Sequence, residues 1–279
     1  MNIITGEKIQ SFCDHFIGTQ NDFNYNPYIA SLKDKQVNMN ELNNYFNNNR
    51  KIFCYTYALD DIDLLIHKLS FLQNEFILVF HNCDHNFETR HLKLFDSLPK
   101  LKMIYTQNMN VLHDRVVPLP IGIANSMWPH GNLSLLNSII QMNNTKDNLI
   151  YFNFNLNTNQ EKRGECYNKI IEKGIHFNPS GDQYTYLYNL SKYKYAICPE
   201  GNGIDCHRLW ECLYLKVIPI CKKNILVEYF SKIFPIVLLD DWSDLNTEKL
   251  MNEYNNYSWE NYDKLSFDYY KQILENIVA

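Results

Sequence analysis

Glycine and proline are scarce in this chain, nine of each in 279 residues, which excludes collagen-like and Gly/Pro-rich low-complexity architectures and makes each glycine worth locating. No apolar run approaches the eighteen residues a membrane-spanning helix needs. The opening M-N-I-I-T-G-E-K has neither a basic n-region nor an apolar h-region, so a soluble, unprocessed, cytoplasmic protein is expected. Basic residues are in the minority, 26 Lys and Arg against 31 Asp and Glu, for a net charge of −5. That balance, with no basic tract, argues against nonspecific nucleic-acid binding, and any phosphate ligand must be held by local charge. The eight cysteines include no C-x-x-C and mostly sit in apolar runs, as small buried hydrophobes do in a reducing compartment.

What is present is globular: 46% hydrophobic and 20% charged residues, enough chain for one large domain or two ordinary ones. Asn, Tyr, Phe and Ile are abundant, a signature of AT-rich coding to which no mechanism attaches. Chemistry concentrates between Tyr193 and Cys221. Tyr195 to Cys198 reads as a strand, Gly201 and Gly203 as a loop, the following segment as a helix and Val217 to Ile220 as a strand, which together make a βαβ unit. Asp205 stands where an N-cap belongs, and Leu209, Cys212 and Leu213 form the apolar stripe. Arg208 and Glu211 therefore share another face. A helix start after a glycine loop offers N–H groups to phosphate, Arg208 adds a donor fork, and Glu211 can accept from ribose hydroxyls. The alternative is an ordinary i,i+3 surface ion pair.

At these residues the chain resembles the exostosin-like glycosyltransferases, whose donor motif looks like P-x-G-x-G-x-D-x-x-R-x-x-E followed by G-x-I-P-[VI]. Pro199, Gly201, Gly203, Asp205, Arg208, Glu211, Ile218, Pro219 and Ile220 stand in that order, with Asn202 in the loop. Lys216 occupies the place of the family's helix-ending glycine. Many members of that family resemble single-pass secretory-pathway enzymes, so the expectation of a soluble chain is a second departure. The resemblance covers about the last two-thirds of the chain and leaves residues 1–50 unmatched.

Along the chain, helices are expected at Gly6 to Phe16 and near Met39 to Asn48. Strands and helices then alternate: Ile52 to Tyr55, helix Asp61 to Leu72, Phe76 to Phe80, helix Phe87 to Leu98, Leu101 to Tyr105 and Val116 to Leu119. After a linking segment, Gly131 to Asp147, come strand Leu149 to Phe154, helix Gln160 to Lys173, strand Ile175 to Phe177, helix Asp182 to Lys192 and, past the motif, strand Val237 to Leu239. The alternation runs twice, which implies α/β sheets with helices on both faces. The domains expected are 1–130 for the acceptor, 131–241 for the nucleotide sugar, and 242–279, C-terminal helices with Leu265, Tyr269, Ile273 and Ile277 on one stripe. The resemblance implies two Rossmann-like, doubly wound domains facing a central cleft, the GT-B arrangement, with the last helix packing back on the first domain.

Two further stretches resemble the same family. N-F-N-L-N-T-N-Q-E-K-R contains Asn157, Thr158 and Arg163 between a strand and a helix, where amides, hydroxyls and a guanidinium can meet a diphosphate; an ordinary Asn-rich turn is the alternative. P-I-G-I-A-N-S-M-W-P-H-G contains Asn125, Trp128 and His130, which could line the cleft or simply pack. Separately, H-N-C-D-H-N-F-E-T-R-H, from His81 to His91, lies at the end of an expected buried strand, where α/β ligands bind. Asp84 and His81 are the candidate catalytic bases. Asp84 as a helix cap, or a metal site using His81, Asp84, His85 and His91, are alternatives, though the spacing matches no zinc pattern. Asp61 and Asp63 spell D-x-D but read as helix caps.

The expected function is transfer of a sugar from a nucleotide diphosphate donor to a hydroxyl of a glycan acceptor, with no metal cofactor required, and the resemblance implies inversion and a UDP-sugar donor. The resemblance implies xylose, galactose, arabinose or glucuronic acid as the sugar. An inactive nucleotide-binding protein and a metal-dependent hydrolase are the rivals.

Overall fold

The computed structural model describes residues 1–38 and 50–276, so the expected helix near Met39 to Asn48, and Ile277, lie outside the described residues. The chain divides into two compact units, Met1–Ile121 with Ser266–Ala279, and Gly122–Leu265. Both are α/β, with parallel sheets flanked by helices. The division falls at Ile121/Gly122, ahead of the expected 130/131, and it places Asn125, Trp128 and His130 in the second unit.

In the first unit, strands β1 (His15–Gly18), β2 (Gln36–Asn38), β3 (Lys51–Tyr55), β4 (Phe76–His81), β5 (Phe87–Glu88), β6 (Leu101–Thr106), β7 (Met109–Asn110) and β8 (Val116–Pro118) follow one another. Six form a parallel sheet in the order β2-β1-β3-β4-β6-β8, and β5 pairs with β7. Every residue of β4, F-I-L-V-F-H, is buried, as a strand covered on both faces must be. Helices α1 (Gly6–Phe12), α2 (Gln20–Tyr25), α3 (Pro27–Ser31), α4 (Ile62–Leu69) and α5 (Lys93–Ser97) accompany them. Strand order reverses between β1 and β3, a topological switch point of the kind that opens a ligand crevice at the strands' carboxyl ends.

Two local expectations changed, at the first helix and at Phe87 to Leu98, while Asp61 caps a helix as expected. The first helix stops at Phe12, because Asp14 takes the Arg50 and Lys51 N–H groups, both at 2.9 Å, and His15 to Gly18 is drawn into the sheet. The expected helix from Phe87 to Leu98 divides into β5, a 3₁₀ turn at Thr89–Leu92 and α5, since Phe87 N donates to Asn108 O at 3.0 Å. Asp61 caps α4 through Leu64 N at 3.1 Å, and Asp63 pairs with Lys93, so the D-x-D is structural.

The second unit carries α6 (Leu133–Met142), β9 (Asn148–Tyr151), α7 (Gln160–Glu172), α8 (Gln183–Leu190), β10 (Tyr193–Ile197), α9 (His207–Tyr214), β11 (Ile218–Lys222), α10 (Ile225–Ser231), β12 (Val237–Leu239) and α11 (Thr247–Glu253). Its four parallel strands lie in sequence order, β12-β11-β10-β9, without the reversal that defines a doubly wound sheet. α6 occupies the expected linking segment, Gly131 to Asp147, and buries Leu136 and Ile139. Ile175 to Phe177 is not a strand; Phe177 instead packs edge-on against Phe152 and Phe154 while Asn178 bonds the Phe152 backbone. The last helix, α12 (Phe267–Asn276), belongs to the first unit, where Phe267, Tyr270 and Leu274 join Ile9, Phe53 and Tyr105 in the core. The buried stripe is thus out of phase with the expected Leu265, Tyr269, Ile273 one; Tyr269 and Ile273 are only partly buried, and Leu265 stays in the second unit.

Lys216 sits at φ +53, the left-handed conformation the sequence departure raised. Lys216 N donates to Leu213 O at 3.1 Å and Val217 N to Cys212 O at 2.8 Å, the pair of bonds of a Schellman cap. A side chain there costs about 1 kcal/mol, offset in part by the Lys216 ammonium lying 4.9 Å from the Tyr262 ring centroid. Lys216→Gly is therefore expected to stabilise the protein by roughly 0.5 kcal/mol, measurable as a raised urea midpoint.

Lys146 ties two helix ends together, donating to Ser191 O at 2.5 Å and Leu215 O at 2.7 Å, where the helix dipoles favour a cation. Burial pulls its amine down to about 8. Because the folded state holds this proton less tightly than the unfolded chain, its contribution makes stability rise as pH climbs from about 8 toward 10.5. Urea unfolding at pH 7 and 9.5 should show wild type gaining roughly 1 to 2 kcal/mol relative to Lys146→Met.

Candidate functional site

β10 ends at Ile197, and residues 198–206 carry the chain to α9. Gly201 N donates to Gly203 O at 3.1 Å and closes the loop. Two side chains hold it, one from the N-cap of α7 and one from its first turn: Asn159 Nδ2 donates to Gly201 O at 2.8 Å, and Arg163 Nε to Glu200 O at 2.9 Å. Arg163 Nη1 also donates to Asn155 O at 2.8 Å, so one guanidinium clasps both loops. Arg163 was expected to meet a diphosphate directly. It is 8% exposed with two donors spent on backbone, leaving Nη2 3.5 Å from where a Cβ on Gly201 would sit. Of the neighbours expected at the donor, Asn157 is exposed and Thr158 half-buried, while Asn202 is exposed at the tip of the glycine loop.

Asp205 does not cap α9. The N-cap is Cys206, with no side-chain cap bond, and the buried Asp205 carboxylate accepts instead from the Trp210 indole Nε1 at 2.9 and 3.1 Å. The N-cap side chain therefore leaves the first turn of α9 uncovered, and the N–H groups and dipole of that turn suit an anion.

The pair Arg208 and Glu211 is not a surface ion pair. Glu211 is buried and accepts from the Tyr186 hydroxyl at 2.6 Å, and burial followed by the nearby carboxylate pushes that phenol well above its ordinary value, keeping it a donor. The half-buried Arg208 guanidinium lies over the Tyr186 ring, 4.9 Å from its centroid. Its Nη1 is buried and has no hydrogen-bond partner. A charged donor left so costs about 1 to 3 kcal/mol, which an anionic oxygen would recover.

The Trp128 segment comes to the same place. Gly131 packs so tightly on Asn125 that a Cβ would lie 2.1 Å from the Asn125 carbonyl oxygen, and this turn carries Trp128 and His130 stacked at 6.1 Å. His130 meets His207 of α9 at 6.0 Å, and His207 Nδ1 donates to Gly122 O at 2.8 Å. Trp128 remains 43% exposed, an open face for a ring. Three stretches far apart in sequence, 122–131, 155–163 and 199–211, are thus joined by named contacts in one unit. Tyr186 and His207 were missed; His207 lay inside the motif at a variable position, and nothing in the spacing of α8 marks Tyr186.

In the first unit, His81 and Asp84 part company. His81 is fully buried, with Nε2 donating to Pro120 O at 3.1 Å and Nδ1 3.1 Å from Asn82 Oδ1. Both ring nitrogens are engaged within the protein, so His81 is a scaffold residue and not a base in reach of substrate. Asn82, at φ +58, donates from Nδ2 to Gln10 at 2.8 Å and from its backbone to Gln107 at 3.1 Å. Gln107 and Asn108 in turn donate to Cys83 O at 3.2 and 3.1 Å. This knot presents Asp84 exposed beyond the end of β4. The metal alternative is not gathered, for His91 Nδ1 accepts from Glu88 N at 2.9 Å and the exposed His85 pairs with Asp60 at 3.5 Å; among the described residues no three such side chains form a metal-ligand group.

Compared with known proteins, the sequence matches no family model and no curated protein.

Proposed function

We propose that the chain is a nucleotide-sugar-dependent glycosyltransferase with its donor site at the start of α9. The observation that carries this reading is the buried, unpartnered Nη1 of Arg208 beside an uncapped helix start and a glycine loop. Phosphate chemistry fits all three. In the proposed complex the diphosphate lies against Arg208 and the first turn of α9, Glu211 faces the ribose, and Trp128 offers a surface to a ring.

Transfer would proceed with inversion, in the manner of two-domain GT-B enzymes. The acceptor hydroxyl oxygen attacks the anomeric carbon, its proton passes to the Asp84 carboxylate, and the bond to the diphosphate breaks with its electron pair on the leaving oxygen. Arg208 neutralises that charge. UDP as nucleotide, and xylose, galactose, arabinose or glucuronic acid as sugar, rest on the family resemblance. UDP release from these four donors, with and without glycan acceptors, tests the proposal. Acceptor-stimulated release supports it; tight UDP binding with no release from any donor points to an inactive nucleotide-binding protein.

A further inference from the structure

A cavity of about 470 Å³ lies at the opposite pole of the second unit from the glycine loop. Its floor is built where α8 and α9 end and where β9, β10 and β11 begin, whereas the loop leaves the carboxyl end of β10. A five-residue strand separates the two places by about 15 Å, so a ligand in one does not occupy the other. The volume is in the range of small-molecule sites.

Its walls have a definite chemistry. Tyr254, Trp259 and Tyr262 are half-buried and line it with rings, the indole and Tyr262 meeting edge-on at 6.1 Å. The charged groups in the lining are Lys146 and Lys216, with no carboxylate among the lining residues. Lys146 spends two donors on helix-end carbonyls, and an ammonium has three. Asn144, fixed by its bond to Ser191 Oγ at 2.8 Å, adds an amide. Lys216 is held in the left-handed conformation at the rim, with its ammonium over Tyr262. Aromatic faces take a flat ring, and two ammonium groups unopposed by carboxylates take an anion.

We infer that this cavity is a second small-molecule site, for an organic anion that joins a sugar or base ring to a carboxylate or phosphate. The ring packs on Trp259 and Tyr262, and the anionic group meets Lys146 and Lys216. The inference does not depend on the transferase reading, since none of these residues belongs to the donor site.

Calorimetric titration with D-glucuronate and with uridine monophosphate tests it and separates the carboxylate from the phosphate form. Lys216→Gly is the informative variant, because it removes one cation while relieving backbone strain, so loss of binding is not loss of fold. At least one probe is expected to bind wild type, to bind Lys216→Gly about fivefold more weakly, to bind Trp259→Ala more weakly still, and to bind Arg208→Ala unchanged. The inference is overturned if neither probe binds at millimolar concentration. It is equally overturned if binding survives both cavity substitutions and is lost in Arg208→Ala, which would place the ligand at the glycine loop.

Discussion

Arg208→Ala should bind UDP roughly 10- to 100-fold more weakly than wild type, with little change in melting temperature. A hydrogen bond from a charged donor contributes about 1.5 to 3 kcal/mol, and each 1.4 kcal/mol is tenfold in affinity. The unusual part of the expectation is the unchanged stability. In most proteins, truncating a half-buried arginine orphans its hydrogen-bond partners; here Nη1 has none to orphan, and what is lost is the contact with the Tyr186 ring and the charge attraction to the Glu211 carboxylate. Glu211 keeps its bond from the Tyr186 hydroxyl. Arg208→Lys should fall between, retaining charge without the planar fork. Parallel calorimetry and thermal unfolding check both halves. If Arg208→Ala unfolds readily and binds UDP as wild type does, the guanidinium is a packing residue.

Asp84→Asn should lower acceptor-dependent turnover by about 10²- to 10⁴-fold while leaving UDP affinity unchanged. The amide is close in size to the carboxylate and cannot take the acceptor's proton. Asp84 is exposed, so the substitution should scarcely touch stability. His81→Ala is expected to behave differently: it leaves the buried Pro120 carbonyl without its donor, at about 1 to 3 kcal/mol for an unsatisfied group, and should show as lost stability. The two variants therefore separate a group that handles a proton from one that holds the loop. Rates from UDP release and midpoints from urea unfolding supply the comparison, and equal turnover in Asp84→Asn and wild type would remove Asp84 from the chemistry.

Much of the fold and of the site is legible in the sequence, and where the structure departs from it the causes are physical. The β10–loop–α9–β11 unit was legible because glycine is rare here, so two within three residues before a periodic segment stood out. Lys216 stood out against the glycine of the resembled motif, which left either a strained left-handed residue or a different turn, and the chain adopts the strained one at φ +53. Asp205 misled because an aspartate just ahead of a helix usually caps it; the indole five residues on competes for the carboxylate, and only tertiary packing reveals the outcome. His81 looked chemical in a run of histidines, yet it ends a strand buried on both faces, and such a strand buries its last residue too. Tyr186 was invisible because it meets α9 only in three dimensions. α6 passed for a linker because polar Asn residues flank its apolar positions on both sides.

The most direct test is a crystal structure of the protein soaked with UDP. The account predicts diphosphate oxygens within hydrogen-bond distance of Arg208 Nη1 and of the first-turn amides of α9, with the ribose against Glu211. Nucleotide bound elsewhere, with Arg208 Nη1 still unpartnered, would contradict it.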